Sequence, residues 1–334
     1  MRGWKSYLLG LVGLAISLFA AYSILSQIPL TELVDAFRTA RYIYVIPCII
    51  LILVGLWARG IRWRVLLNDE LPVMRAFNIM NIAYLVNGIL PLRLGEVARA
   101  YLASRAVPTV PMMRALSTIV VERLLDVLSV LIIMGAAIAS APVPDELRRI
   151  AAVATPTIMI GFLALIALSS QRARTMRVVQ GLVDRSALLQ RFKIADLFGH
   201  FLDGLTPLTQ PRMLFRVLFW TFIAWSFSLV SGYVLMPAFF DSPDWVGVCL
   251  FTAAASFANA LPAAPGSLGV YEGAILLSFQ TLGYNNVAII TGFAVMIHAL
   301  NLGLNALLGI YGFIQEGVTL SQLSARVRGI QQPS

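Results

Sequence analysis

The chain is organised by long apolar runs that proline, glycine and charge interrupt at a few places. The first run, Tyr7 to Ile28, follows Arg2 and Lys5. Its length of about 20 apolar residues suits a span better than a cleaved signal, so it reads as a retained helix. Further runs lie at Ile43 to Ala58, Leu116 to Ala141, Ile150 to Ser169, Phe215 to Phe240 and Asn286 to Ile314. Together they predict about six full spans. Between them sit two shorter pieces, Phe77 to Leu90, stopped at Pro91, and Val246 to Leu261, stopped by Pro262-Ala-Ala-Pro265-Gly266. At 1.5 Å per residue, roughly 14 to 16 residues reach about 21 to 24 Å, short of a hydrocarbon core of about 30 Å. Each piece is expected to be re-entrant, breaking inside the membrane and continuing as a second half-helix.

Composition fixes the solvent. With 59% hydrophobic and 12% charged residues and a mean hydropathy of +0.83, the chain cannot be solvated as one soluble domain. In hydrocarbon only helices or closed barrels satisfy the backbone, and these runs are too long for alternating barrel strands. The expectation is an all-α, polytopic integral membrane protein in which residues 1–334 form one membrane domain. Cys48 and Cys249 both lie in apolar runs and read as packing residues, not as a disulfide or metal pair. No metal and no cofactor is expected.

Charge orients the spans. With the N-terminus inside, the inner side collects Arg59, Arg62, Arg64 and Arg75, then Arg93, Arg99, Arg105 and Arg114, and the segment Arg172 to Arg216. The outer loops receive Arg38, Arg41, Arg148 and Arg149, each accompanied by acids, and no lysine or arginine occurs from Val217 to Ala325. This follows the positive-inside pattern. It predicts a multi-pass protein of the inner (plasma) membrane with both termini cytoplasmic and a cytoplasmic tail at 315–334. The net charge of +9 is absorbed by this topology, so nucleic acid is not an expected partner. The segment from Gln171 to Arg216 carries eight basic and three acidic residues. Its apolar residues recur at helical spacing (Val178, Leu182, Leu189 and Phe192, then Leu197, Phe201 and Leu205). Residues 171–214 thus read either as a cytoplasmic amphipathic connector lying on the inner leaflet or as a plain link.

Residues 1–141 and 150–314 share an order: two spans, a broken hairpin, one span, the second set starting from the opposite side. The breaks share residues as well, Asn87-Gly-Ile-Leu-Pro91 with Leu94-Gly95-Glu96 against Asn259-Ala-Leu-Pro262 with Leu268-Gly269-Val-Tyr271-Glu272. The expectation is an inverted repeat with two oppositely oriented hairpins, an arrangement that places substrate at the midplane in transporters. Pro91, Pro262 and Pro265 stop the first half-helices, and Gly95, Gly266 and Gly269 permit the turns and close approach.

The candidate chemistry gathers at these breaks. Asn87 and Asn259 can bond freed backbone groups. Glu96 and Glu272 fall in the first turns of the second half-helices, where they read either as caps or as proton or cation sites. Flanking arginines favour a salt bridge for Glu96. Arg93, Arg99 and Arg123 suit phosphate capture, whereas Arg105 reads as an interfacial anchor. Glu122, Arg123 and Asp126 open the next span, with Arg123 and Asp126 spaced i, i+3 to pair on one face. With Tyr271, the candidate substrate-binding set is Asn87, Arg93, Glu96, Arg99, Arg123, Asn259, Tyr271 and Glu272.

The run Asn87-Gly-Ile-Leu-Pro-Leu-Arg-Leu-Gly-Glu-Val-Ala-Arg99, then Val121-Glu-Arg-Leu-Leu-Asp126 and Pro265-Gly-Ser-Leu-Gly-Val-Tyr-Glu272, resembles the transmembrane, flippase-like domain of the lysylphosphatidylglycerol synthase family. The resemblance covers about Arg59 to Gly312 and implies lipid translocation between leaflets. The best-known members continue into an aminoacyl-transferase domain; none follows here, so transport is expected without synthesis of the aminoacyl lipid. The expected substrate is an anionic, aminoacylated or polyprenyl-linked lipid moved by alternating access, with membrane lipids as partners and room for a lipid-modifying or glycosyltransferase enzyme beside it. The alternatives are an accessory membrane subunit and an intramembrane lipid-modifying enzyme. For an enzyme, His200 and His298 stand beside no nucleophile in sequence, and Glu32 and Asp35 more simply balance Arg38 and Arg41.

Overall fold

The computed structural model describes residues 29–90, 94–140, 145–184, 194–260 and 265–318, together with Phe19 and Tyr22. The predicted first span apart from Phe19 and Tyr22, the break residues Pro91, Arg93 and Pro262, and the tail beyond residue 318 lie outside the described residues. Within them every regular element is helical: α1 Leu30–Thr39, α2 Val45–Leu66, α3 Val73–Ile89, α4 Leu94–Ser104, α5 Met112–Ser140, α6 Asp145–Ser170, α7 Arg172–Val183, α8 Ile194–Asp203, α9 Pro211–Leu235, α10 Trp245–Ala260, α11 Val270–Thr281 and α12 Val287–Glu316.

Local chemistry sets the ends. Pro211 starts α9, where its missing N–H costs nothing. Asn286 Oδ1 accepts from the Ile289 amide at 3.1 Å to cap α12, and Gly317, at φ +63°, closes it. Residues 42–66, 211–238 and 287–316 are long and apolar enough to cross a membrane. α5 (29 residues) and α6 (26 residues) have the length, but α5 carries Glu122, Arg123 and Asp126. α2 does not stop at Ala58 as its hydropathy suggests. It continues through Arg59, Arg62 and Arg64 because these cations find partners inside the bundle, such as Asp126 for Arg62 at 2.7 Å and Asp69 for Arg64 at 2.7 Å. α1 replaces a predicted loop: it buries Ala36 and lies along α12. Arg38 pairs with Asp35 at 3.6 Å, but Arg41 donates to the carbonyl of Phe240 instead of meeting an acid.

Three packing relations build the bundle. α2 and α9 lie antiparallel, tied at one end by Arg216 to Asp69 (2.6 Å) and at the other by the Arg41 amide to Ala238 O (2.9 Å). α3 lies along α12, where Gly309 and Gly312 are required: a Cβ on Gly312 would come within 2.8 Å of Asn78 O. α10 lies along α5, with Val130, Met134 and Ala137 against Cys249, Leu250 and Ala253. α4 returns beside α3 and α11 beside α10. Tyr284 donates to Asp244 at 3.1 Å, so the start of α10 and the end of α11 share one end of the bundle. Arg114 reaches Glu70 at 2.7 Å, which ties the start of α3 to the start of α5 at the other end. Phe240, Phe251, Phe279 and Phe293 stack and interlock in the core.

The connector divides in two. On α7, Val178 and Leu182 are exposed, whereas Leu202, Leu205 and Leu208 at and after α8 are buried against Val65, Val121 and Val217 of the bundle. α8 is therefore part of the packed body.

Candidate functional site

A cavity of about 600 Å³ lies where the two hairpin breaks meet, enclosed by α2, α3, α5, α9, α10 and α12. The turn Pro265–Ser267 brings the second break against α3, and Gly266, at φ +69°, faces Gly88 O. The positive φ, which L side chains rarely adopt, favours glycine at this meeting point. Asn87, Glu96, Arg123, Asn259, Gly266 and Tyr271 all line the cavity.

The breaks are stitched by side chains. Asn87 Oδ1 accepts from the Gly95 amide at 2.8 Å, and any Cβ on Gly95 would strike Asn87 and the carbonyl of Ala83. Glu272 Oε2 accepts from the Gly269 amide at 2.7 Å and so caps α11, with Gly269 at φ +83°. Its other oxygen lies 2.6 Å from Nδ1 of His298. The His298 ring stacks on Tyr271 with centroids 4.0 Å apart, and it lines the cavity while Glu272 stands behind it. One oxygen of Glu272 thus caps α11 while the other faces His298.

Beside the first break stands a buried ion cluster. Arg62, fully buried, donates to Asp126 at 2.7 and 3.3 Å and lies 3.4 Å from Glu122. Arg99 makes a bidentate pair with Glu122 at 3.0 and 2.7 Å and lies 4.0 Å over the Trp63 ring. Arg123 reaches Glu122 at 3.3 Å, Glu96 at 3.4 Å and Asp126 at 3.7 Å. The last is the i, i+3 pair expected on α5. Glu96 meets Arg123; Arg99 pairs with Glu122 instead. Arg99 and Glu122 line no part of the cavity. A buried charge persists only with such partners, since removing it from water costs several kcal/mol per ion.

Sequence reasoning passed over Arg59, Arg62, Trp225 and His298. Arg62 and Arg59 look like positive-inside anchors until α2 is seen to run on to Leu66. Arg59 lines the cavity, donates to Ser228 Oγ at 3.1 Å and lies 5.4 Å over the Trp225 ring. The indole of Trp225 donates to Asp126 at 3.3 Å. Matching positions along the helices were the signal available for His298. Glu96 is the third residue of α4 and Arg123 the twelfth of α5; Glu272 is the third of α11 and His298 the twelfth of α12. Asn87 and Asn259 are each the fifteenth residue of their helices, α3 and α10. Among the described residues no group of three or more His, Cys, Asp or Glu side chains could hold a metal.

The chain is similar to the protein named glycosyltransferase AglD of Haloferax volcanii, with 23% identity over 95% of this chain and 56% of that protein. It thus spans little more than half the length of that relative. A family model described as the lysylphosphatidylglycerol synthase TM region matches residues 10–309, and the chain belongs to that family.

Proposed function

We propose that this membrane protein moves the headgroup of an anionic or polyprenyl-linked lipid between leaflets by alternating access. The observation that carries the reading is a cavity of headgroup size, set in an apolar helical bundle, whose mixed wall includes Arg59, Glu96, Arg123 and Asp126. Polar groups inside a membrane are costly and tend to mark a pathway. The matched positions of Asn87 and Asn259, Glu96 and Glu272, and Arg123 and His298 support two repeated halves. So do hairpins that return to opposite ends of the bundle. Residues 1–141 and 150–314 are the halves, and antiparallel α2 and α9 lie across their pseudo-twofold. Such halves can rock about a fixed midplane site.

The test is headgroup exposure in proteoliposomes, using purified protein, fluorescent phosphatidylglycerol, lysyl-phosphatidylglycerol and polyprenyl-phosphate lipids, and a membrane-impermeant quencher. Faster exposure of one lipid, lost in Glu272→Gln, is expected. No acceleration of any lipid by folded protein overturns the reading. The name of the Haloferax volcanii relative favours a second one, a membrane subunit serving a sugar-transferring enzyme. It predicts that cavity substitutions leave lipid exposure unchanged and lower the output of a partner enzyme.

A further inference from the structure

Three guanidinium groups of the buried cluster, Arg62, Arg99 and Arg123, face three carboxylates, Glu96, Glu122 and Asp126. Counted over these described residues, that set is neutral, and Arg93 lies outside them. Arg59 is an additional cation on the cavity wall, and among the described residues it makes no direct ion pair: it meets a hydroxyl and an indole face, with Asp126 of the cluster within electrostatic reach. Glu272 does not line the cavity: its two oxygens meet His298 and the Gly269 amide at the N-terminus of α11.

The neutral lining has its own bias. Ser228, Ser231 and Ser256 donate their hydroxyl protons to the carbonyls of Ala224, Ser228 and Thr252, and Asn301 donates to Ile297 O. The serine protons and one of the two Asn301 N–H groups are used within the helices, which leaves oxygen lone pairs of these side chains available. Thr252 Oγ1 and Asn305 Oδ1, also on the wall, are buried without a hydrogen-bond partner. Among the described residues the cavity therefore combines one guanidinium in excess of the carboxylates with several oxygen acceptors. Guanidinium fits a phosphate oxygen pair, and oxygen acceptors fit ligand O–H groups. An ammonium inside would need a carboxylate counter-ion, and those of the cluster are already matched to arginine.

We propose that Arg59 is the phosphate-binding group of the cavity and that the substrate is a singly charged phosphodiester with a hydroxylated, uncharged headgroup, not an aminoacylated one. This rests on the translocase reading for its biological meaning but not for its test. Phosphatidylglycerol and a polyprenyl-phosphate sugar share this chemistry.

The experiment measures equilibrium binding to the full chain in detergent. The probes are dihexanoyl phosphatidylglycerol, citronellyl phosphoglucose, the lysyl ester of that phosphatidylglycerol, and dihexanoylglycerol. One or both of the first two should bind at least about tenfold more tightly than the last two, as one charge-assisted hydrogen-bonding group implies; which of them binds identifies the source. Arg59→Gln should reduce that probe to the level of dihexanoylglycerol, and Arg59→Lys should restore part of the loss. Equal or tighter binding of the lysyl ester, or unchanged binding by Arg59→Gln, overturns the assignment. Should Arg59→Gln fail to fold, the wild-type ranking of the four probes decides alone. The expected ranking without any translocation leaves the site standing and removes the translocase; translocation indifferent to Arg59→Gln does the reverse.

Discussion

Glu272 and His298 are joined by a 2.6 Å contact that spans α11 and α12, and the same carboxylate holds the Gly269 amide at 2.7 Å. One side chain thus fixes the turn of the second break and couples it to the next long helix. Glu272→Gln keeps an acceptor for Gly269 but weakens the link to His298. We expect each of Glu272→Gln and His298→Phe to cost about 1–3 kcal/mol, and the double variant to cost less than their sum by about 0.5–3 kcal/mol. Unfolding in detergent measures the cycle, and strict additivity would show that the contact does not couple the helices.

Arg62 sits fully buried between Asp126 and Glu122. Arg62→Met strips Asp126 of its shortest partner, and a buried carboxylate left that way costs about 3–5 kcal/mol. Replacing both, Arg62→Met with Asp126→Leu, should recover much of the loss, because no lone charge remains. Thermal unfolding of the two variants decides between this account and a simple volume effect, which predicts that the double variant is the worse one.

How far the sequence could be read follows from which interactions are local. The ends of α3, α5, α6, α10 and α12 fall within a few residues of the hydropathy runs, because apolar length and flanking proline or asparagine are local facts. The extension of α2 is not local: it depends on Asp126, 64 residues away from Arg62, and hydropathy alone reads those arginines as interfacial. The site divides the same way. The motif residues Asn87, Glu96, Asn259 and Tyr271 sit on the cavity wall, since they belong to or adjoin the breaks, and Arg123 joins them from α5. Arg59 and Trp225 reach it from continuous helices, whose inner faces carry no mark in sequence, and His298 is marked only by a place in α12 that matches that of Arg123 in α5.

Antiparallel α2 and α9 and the two returning hairpins place loops at defined ends. Ser242 and Asn285 belong to one end, bound together through Asp244 and Tyr284, and Gln210 belongs to the other, next to Arg216 and Asp69. In a chain with Cys48→Ala and Cys249→Ala, single cysteines at 242 and 285 should react with an impermeant maleimide from the same side of sealed vesicles. A cysteine at 210 should react from the opposite side. Labelling of 242 and 285 from opposite sides would mean that α10 and α11 cross the membrane as one continuous pass.

The hydrogen bond from Tyr284 to Asp244 lies outside the spans and carries a pH dependence. Burial, followed by the neighbouring Asp244 carboxylate, pushes the Tyr284 phenol up to about 12. A phenol whose folded value is raised keeps its full contribution below the unfolded value of about 10. That contribution falls as pH rises through the folded value. Stability should therefore decline between about pH 10 and about pH 12, and Tyr284→Phe should flatten that part of the profile. Melting temperatures across the alkaline range test it, with an unchanged slope in Tyr284→Phe counting against the pair.

Gly88 and Gly95 flank the first break but face different surroundings. A Cβ on Gly95 would strike the Asn87 carboxamide, which accepts the Gly95 amide, whereas a Cβ on Gly88 meets nothing within 4 Å. Gly95→Ala must push α4 away from α3 or expel Asn87 from its bond, so overpacking of about 1–3 kcal/mol is expected. Gly88→Ala lies within α3 and should stabilise by about 0.5–1 kcal/mol, because alanine loses less backbone freedom on entering a helix. Opposite signs from two substitutions of the same chemistry, seven residues apart, would locate the tight contact at the start of α4. Equal losses would mean that the end of α3 is packed as closely as the start of α4, and the distinction between the two glycines would fall.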